Sequence, residues 1–381
     1  MDRHLLPHLA ADVRQKMVLL TGPRQVGKTT LARRIGEAFA LPLYLNYDTL
    51  ADRAVIEKTQ WLPTHDHVVL DEIHAMPGWK PYLKGVFDGR PAGQSLLVTG
   101  SARLDTFRQA GESLAGRYFS WRLLPFSVRE LLPHAGDAEQ ALDALLRFGG
   151  FPEPLFAAAD VARQRWQNQY FTDLVREDVL EFSRIHEMRA MRHLVALLRQ
   201  RTGSPLSFDS LGRDLGVSAN TVRSYVEILE ALHVVFLVRP FHRNIARAVA
   251  KAPKLYFHDW AYVEDAAGES AGARLENLVA ASLLKHVCYL NDSTGDAIGL
   301  HYLRTTSGKE IDFVLTNAVG EATHFIEVKW ADTRPGFALR QMAQIRPEAK
   351  AVQLVRLARH ASQEAGVETH PLAQWLAGLA A

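Results

Sequence analysis

Two groups of residues in this chain have types and spacings that can do chemistry. The first is Gly22-Pro23-Arg24-Gln25-Val26-Gly27-Lys28-Thr29-Thr30, a full G-x-x-x-x-G-K-T match behind the apolar run Met17–Leu20. Gly22 and Gly27 let the loop turn so that backbone N–H groups converge on phosphate oxygens. The positive end of the following helix favours the same anion. Lys28 has the reach for β- and γ-phosphates, and the Thr29 hydroxyl suits Mg²⁺. About forty residues on, His67-Val68-Val69-Leu70-Asp71-Glu72 is an apolar strand that delivers two acids at its carboxyl end. Asp71 suits the Mg²⁺ shell, and Glu72 suits the general base that polarises an attacking water. Many strands end in acids; behind a complete phosphate loop this one points to ATP. Asp48 is a weaker participant.

The second group lies in the C-terminal third. Glu276 falls on a helical pattern, Asp312 on a strand (Lys309-Glu310-Ile311-Asp312-Phe313-Val314), and Glu327-Val328-Lys329 on the next. Alternation puts Glu327 and Lys329 on one face. Asp312 and Glu327 are hard oxygen ligands for Mg²⁺ or Mn²⁺, with the Val328 carbonyl a third and Glu276 completing the acidic shell. Lys329 suits orienting or deprotonating a water and offsetting charge on a pentavalent phosphate. Glu310 shares a face with Asp312 and is an accessory candidate. A lone Glu-x-Lys on an exposed strand usually means a salt bridge, so the weight rests on the combination.

The elements that must position these groups follow from hydrophobic pattern. Strand-like runs at 43–47, 68–70, 95–99 and 118–123 alternate with helical ones, which predicts a parallel sheet covered on both faces. Phe148-Gly149-Gly150-Phe151-Pro152 is a break, followed by a helical stretch over 161–201. A short helix over 208–215, a turn at Gly216-Val217-Ser218 with Ser218 as N-cap, and a helix over 219–232 make a helix-turn-helix pattern, with 234–238 as a wing strand. Asn220, Thr221, Arg223 and Ser224 then suit a major groove, although such modules also serve as protein–protein spacers. Arg239, Arg243, Arg247, Lys251 and Lys254 follow with no acid among them, as a phosphate-tracking run or a solvated surface strand.

Composition bounds the rest. A length of 381 residues allows two or three domains, and a net charge of +2 means that any DNA surface must be local. The single cysteine, Cys288, excludes an internal disulfide and a cysteine zinc site. No apolar run reaches membrane-spanning length and the N-terminus has no signal-peptide core, so the chain reads as soluble and cytoplasmic.

Residues from about 15 to 130 resemble an AAA+ superfamily ATPase. The wording Leu-Thr-Gly-Pro-Arg-Gln-Val-Gly-Lys-Thr-Thr, Leu-Asp-Glu-Ile-His, Thr-Gly-Ser and Leu-Ala-Gly-Arg is similar to a bacterial and archaeal subgroup whose C-terminal domain has no known function. The resemblance implies ATP hydrolysis and a homo-oligomer, with a hexamer as the usual form. It implies a γ-phosphate contact from Thr99 or Ser101, an arginine finger at Arg117 acting in trans (Arg103 in reserve), and a lid with a sensor arginine among Arg163, Arg165 and Arg176. The helix Glu, strand Asp and Glu-x-Lys order resembles the PD-(D/E)XK nuclease superfamily. The expected fold is α/β throughout. It comprises an AAA+ P-loop core over 1–147, a helical lid over 148–203, a winged helix-turn-helix over 204–254 and a PD-(D/E)XK nuclease-like domain over 255–381. The expected function is an ATP-hydrolysing DNA motor or remodeller coupled to a metal-dependent DNA endonuclease, with branched DNA as substrate by analogy with junction resolvases. The alternative is an ATP-driven DNA- or protein-binding switch that does not cut.

Overall fold

The computed structural model describes residues 3–100, 114–174, 188–241, 252–264, 271–304 and 308–381. It divides into two compact units: Met1–Leu124 with Ala231–His233, and Pro125–Glu230 with Val234–Ala381. Ser101, Arg103, Arg176, Arg243, Arg247 and Lys251 lie outside the described residues.

In the first unit, α1 (Leu6–Asp12) precedes β1 (Met17–Thr21), α2 (Lys28–Gly36), β2 (Pro42–Asn46), α3 (Leu50–Glu57), β3 (His67–Asp71), α4 (Trp79–Gly89), β4 (Ser95–Thr99) and β5 (Tyr118–Arg122). The strands form one parallel sheet in the order β2-β3-β4-β1-β5. β1, β3 and β4 are buried along their whole length, because helices cover both faces of the central strands. The chain leaves β1 for the far edge and works back, so β4 is inserted between β1 and β3. That order brings the carboxyl ends of the phosphate-loop strand and the acidic strand to either side of Thr99.

The second unit opens with helices α5 (Val128–Ala135), α6 (Ala138–Phe148), α7 (Pro152–Ala157) and α8 (Asp160–Leu174). It continues with α9 (Met188–Gln200), α10 (Phe208–Leu215) and α11 (Ala219–Ala231), then β6 (Val235–Pro240) and β7 (Lys254–Phe257). After α12 (Ala271–Thr294) come β8 (Gly299–Arg304), β9 (Glu310–Thr316), β10 (Ala322–Lys329), α13 (Phe337–Ile345), β11 (Lys350–Val355), β12 (Ser362–Glu364), β13 (Val367–Pro371) and α14 (Leu372–Ala377). One eight-stranded sheet runs β12-β13-β11-β10-β9-β8-β6-β7. β8, β9 and β10 are an antiparallel meander, and β11 and β13 then run parallel to β10.

Two expected boundaries differ from the compact units. Residues 125–147, expected in the ATPase core, belong to the second unit: Val128, Leu131, Leu142 and Leu145 share one apolar core with Leu278, Phe313 and Leu376. A buried Lys285–Glu130 ion pair ties α12 to α5. The strand expected as a wing, β6, pairs antiparallel with β7 and parallel with β8, which joins it to the C-terminal sheet. Side-chain hydroxyls start the helices of the middle segment, as their sequences dictate: Ser207 Oγ accepts from the Ser210 amide at 3.2 Å and Ser218 Oγ from the Thr221 amide at 3.1 Å.

Candidate functional sites

The phosphate loop connects β1 to α2. Gly22 (φ 143°) and Gly27 (φ 101°) both take left-handed conformations, and a Cβ on Gly22 would lie 2.1 Å from the Leu123 carbonyl oxygen. Glycine is therefore required there by the neighbouring strand end as well as by the turn. Within the loop Pro23 is buried, Arg24 half-buried and Gln25 exposed, Gln25 at φ 57°. Val26 anchors the loop at 0% exposure, and Thr30 is exposed on the first turn of α2. Lys28 is buried, its Nζ donating to the carbonyls of Gly22 (3.0 Å) and Pro23 (2.7 Å).

Asp71 is the centre of this site. Its carboxylate accepts from Thr29 Oγ1 at 2.7 Å, from Thr99 Oγ1 and from the Tyr44 hydroxyl. Thr29 and Thr99, singled out on separate segments of the sequence, thus meet at one buried acid. Burial, and then the hydrogen bond to Asp71, push the Tyr44 hydroxyl up to about 12, so Tyr44 stays a donor at neutral pH. Tyr44 was not read from the sequence; as one aromatic in a strand it carries no local signal. Glu72 follows at φ 55°, a strained conformation for a non-glycine residue that turns its side chain out of the strand direction. Burial raises its carboxyl while Lys28 opposes the rise, which suits a base. His74 Nδ1 stands 3.2 Å from Glu72 Oε2. Clustered hard oxygens on Thr29 and Asp71 fit Mg²⁺ beside a nucleotide. Arg117 is held by Asp88 in a two-pronged ion pair at 2.8 and 3.0 Å, on the exposed end of α4.

The C-terminal acids come together in part. Val328 donates its amide to Asp312 Oδ2 at 2.8 Å, and the β9–β10 register, continued one step from Phe313↔Ile326, sets Asp312 opposite Glu327. Burial and then the charge on Glu276 push the Asp312 carboxyl up to about 7, with Lys254 and the Val328 amide opposing. Glu327 accepts from Lys329 Nζ at 2.8 Å, so the Glu-x-Lys pair is an ion pair, while the buried Glu327 Oε2 has no hydrogen-bond partner among the described residues. Glu276 accepts from the Tyr256 hydroxyl at 2.6 Å and Lys254 Nζ at 3.2 Å, and Lys254 also pairs with Glu310.

Lys254 requires a correction. It was expected at the end of a DNA-facing basic run, but it is 1% exposed and its ammonium stands among the acids. Basic neighbours in sequence masked its role; only the pairing of β7 into the large sheet reveals it. Tyr256, two residues on, was likewise missed. Among the described residues no group of three His, Cys, Asp or Glu is placed to hold a metal ion. Lys254 stands against two of the carboxylates, Glu276 and Glu310, and supplies there the positive charge that a cation would bring.

On α11, Asn220, Arg223 and Ser224 are exposed and Thr221 is partly buried. The Arg223 guanidinium lies 4.8 Å from the Phe208 ring centroid, which fixes its stem against α10. Arg239 is exposed on β6. No helix among the described residues is long and apolar enough to cross a membrane.

Comparison with known proteins follows this division. Residues 139–271 and 271–375 match two families described as Domain of unknown function (DUF8612) and Domain of unknown function (DUF4143). Over 252 residues the chain is 30% identical to an uncharacterized protein of Mycobacterium tuberculosis, covering 65% of this chain and 55% of the relative. It therefore spans little more than half the length of that relative. It is 22% identical over 343 residues to an uncharacterized protein of Methanocaldococcus jannaschii, covering 82% and 74%. A solved Thermotoga maritima RuvB Holliday junction branch migration motor matches at 18% identity and a TM-score of 0.30, covering 62% of this chain and 89% of that one, a likeness too slight to bear on architecture. Residues 14–132 match the family described as AAA domain, and with the parallel sheet and phosphate loop they form an AAA-type P-loop ATPase-like domain.

Proposed function

We propose that the chain is an ATP-hydrolysing switch whose second unit binds DNA. The observation that carries the ATPase half is the convergence of Thr29, Thr99 and Tyr44 on Asp71. In this reading the loop amides and Lys28 bind the phosphates, Thr29 and Asp71 hold Mg²⁺, and Glu72 takes a proton from water. Mg²⁺, when bound, offsets charge on the phosphates. Thr99 fixes the orientation of Asp71, and Arg117 leaves Asp88 to reach a neighbouring subunit's nucleotide in a homo-oligomer, with a hexamer proposed. Exposed Asn220 and Arg223 on α11, the partly buried Thr221 beside them, and exposed Arg239 support DNA contact, with Arg243 and Arg247 proposed to extend it. ATPase rate measured with and without duplex DNA tests both halves. Lys28→Ala should abolish turnover, and Arg223→Glu should remove stimulation by DNA while leaving basal turnover intact. Unchanged stimulation in Arg223→Glu overturns the DNA face.

A second reading, a metal-dependent endonuclease of the PD-(D/E)XK type acting on branched DNA, is favoured by one observation: the unsatisfied Glu327 Oε2 beside Asp312. The ion pairs of Lys254 favour the switch instead. Purified chain incubated with linear, single-stranded and four-way-junction DNA in Mg²⁺ or Mn²⁺ separates them. Cleavage that is lost in Lys329→Ala and kept in Lys28→Ala establishes the nuclease; DNA-stimulated ATP hydrolysis without cleavage establishes the switch.

A further inference from the structure

A cavity of about 350 Å³ opens in the second unit and shares no lining residue with the acid–lysine cluster. Arg163, Gln167 and Asn168 from α8, Arg199 from α9, Glu264 after β7 and Arg274 from α12 line it. Two of its arginines are aimed by backbone. Arg199 Nε donates to the Tyr262 carbonyl at 2.7 Å, and Arg274 Nη2 donates to the Val263 carbonyl at 2.9 Å. Glu264 is occupied, standing 3.6 Å from Arg199 and accepting from Gln200 at 3.1 Å. Asp259 is 1% exposed, and the charges of Arg163 and Arg274 act on its carboxyl against the rise that burial causes. Among the described residues the charged groups about the cavity are the guanidiniums of Arg163, Arg199 and Arg274 with Glu264 and Asp259, and the Arg163 charge also acts on Asp160.

Arg163 Nη1 donates to Gln167 Oε1 at 3.3 Å, but other donors of the same two side chains are left over. Gln167 is 9% exposed, and its Nε2, together with Arg163 Nε, has no hydrogen-bond partner among the described residues. Buried amide and guanidinium donors left this way cost on the order of 1–3 kcal/mol each, so a water, an ion or a ligand that accepts from them is stabilised there. Donors arriving from three elements suit an anion that presents oxygens in several directions, and arginine's planar fork matches phosphate.

We propose that this cavity binds a phosphate group, presented either by a small phosphate ester or by the 5′ end of a nucleic acid. The site is independent of the phosphate loop and of the acid–lysine cluster. The test uses the full chain carrying Lys28→Ala, so that the loop is silent. Calorimetric titration is run with AMP, and with a 5′-phosphorylated oligonucleotide against its 5′-hydroxyl twin. At least one phosphate probe should bind saturably at one site per chain. Arg163→Gln should weaken it at least tenfold, and Asn168→Asp, which adds a negative charge at the cavity, should weaken it too. Arg165→Gln removes the same charge from an exposed position on the same helix and should change little. AMP binding alone assigns a small ester; preference for the phosphorylated oligonucleotide over its twin assigns a nucleic-acid end. No saturable binding of either probe, or equal loss in Arg163→Gln and Arg165→Gln, overturns the proposal.

Discussion

Asp71 has no exposed surface, yet three side-chain hydroxyls reach its carboxylate from β2, β4 and α2. Removing one of them should misorient the acid without emptying the site. Thr99→Val is expected to leave ATP binding within about threefold while lowering turnover about tenfold to a hundredfold, read from a fluorescent-nucleotide titration beside an ATPase assay. Equal losses in binding and turnover would mean that Thr99 contacts substrate in the ground state instead. His67, at the start of the same strand, makes a separate prediction. Its ring is buried, stacks on Phe39 with centroids 4.3 Å apart, and lies 2.7 Å from Ser95 Oγ. Burial drives it down from 6.5 to about 4. Between those values the unfolded chain takes up a proton that the folded chain refuses, so this stability is complete above about pH 6.5 and drains as pH falls toward 4. His67→Gln should flatten that slope by on the order of 1–2 kcal/mol between pH 7.5 and 5, measured by denaturant midpoints.

At the scale of elements, Gly22 shows how one strand end constrains another. Gly22→Ala places a Cβ against the Leu123 carbonyl in a left-handed conformation, and should cost at least about 2 kcal/mol. Gly116→Ala, also left-handed (φ 79°) but with nothing within 4 Å, should cost less; thermal melting compares them. Lys285→Met strands the buried Glu130 carboxylate and should cost about 3–5 kcal/mol. The strands and helices themselves were legible in sequence, because unbroken apolar runs mark β1, β3 and β4 and Ser218 marks the start of α11. Partnership was not legible. Nothing local in Val235–Pro240 says that it will pair with β8, and nothing in Lys254 says that it will face Glu276 and Glu310. Both depend on contacts between residues far apart in the chain, which hydrophobic period does not encode. For the same reason Glu-x-Lys on β10 was readable as a motif, while its closure into an ion pair was not.

For the molecule as a whole, two compact units predict two responses to ligand. ATP with Mg²⁺ at about a hundredfold excess over its Kd should add ~2.7 kcal/mol to whichever calorimetric transition belongs to the first unit, and leave the other in place. A single transition that moves bodily would show that the units unfold together. Within the second unit, the pairing of β6 with both β7 and β8 has a mechanical consequence. The strand that follows the helical pair and the strands that bear the acids are therefore hydrogen-bonded members of one sheet. A load on α11 would pass along β6 into β7, where Lys254 stands between Glu276 and Glu310.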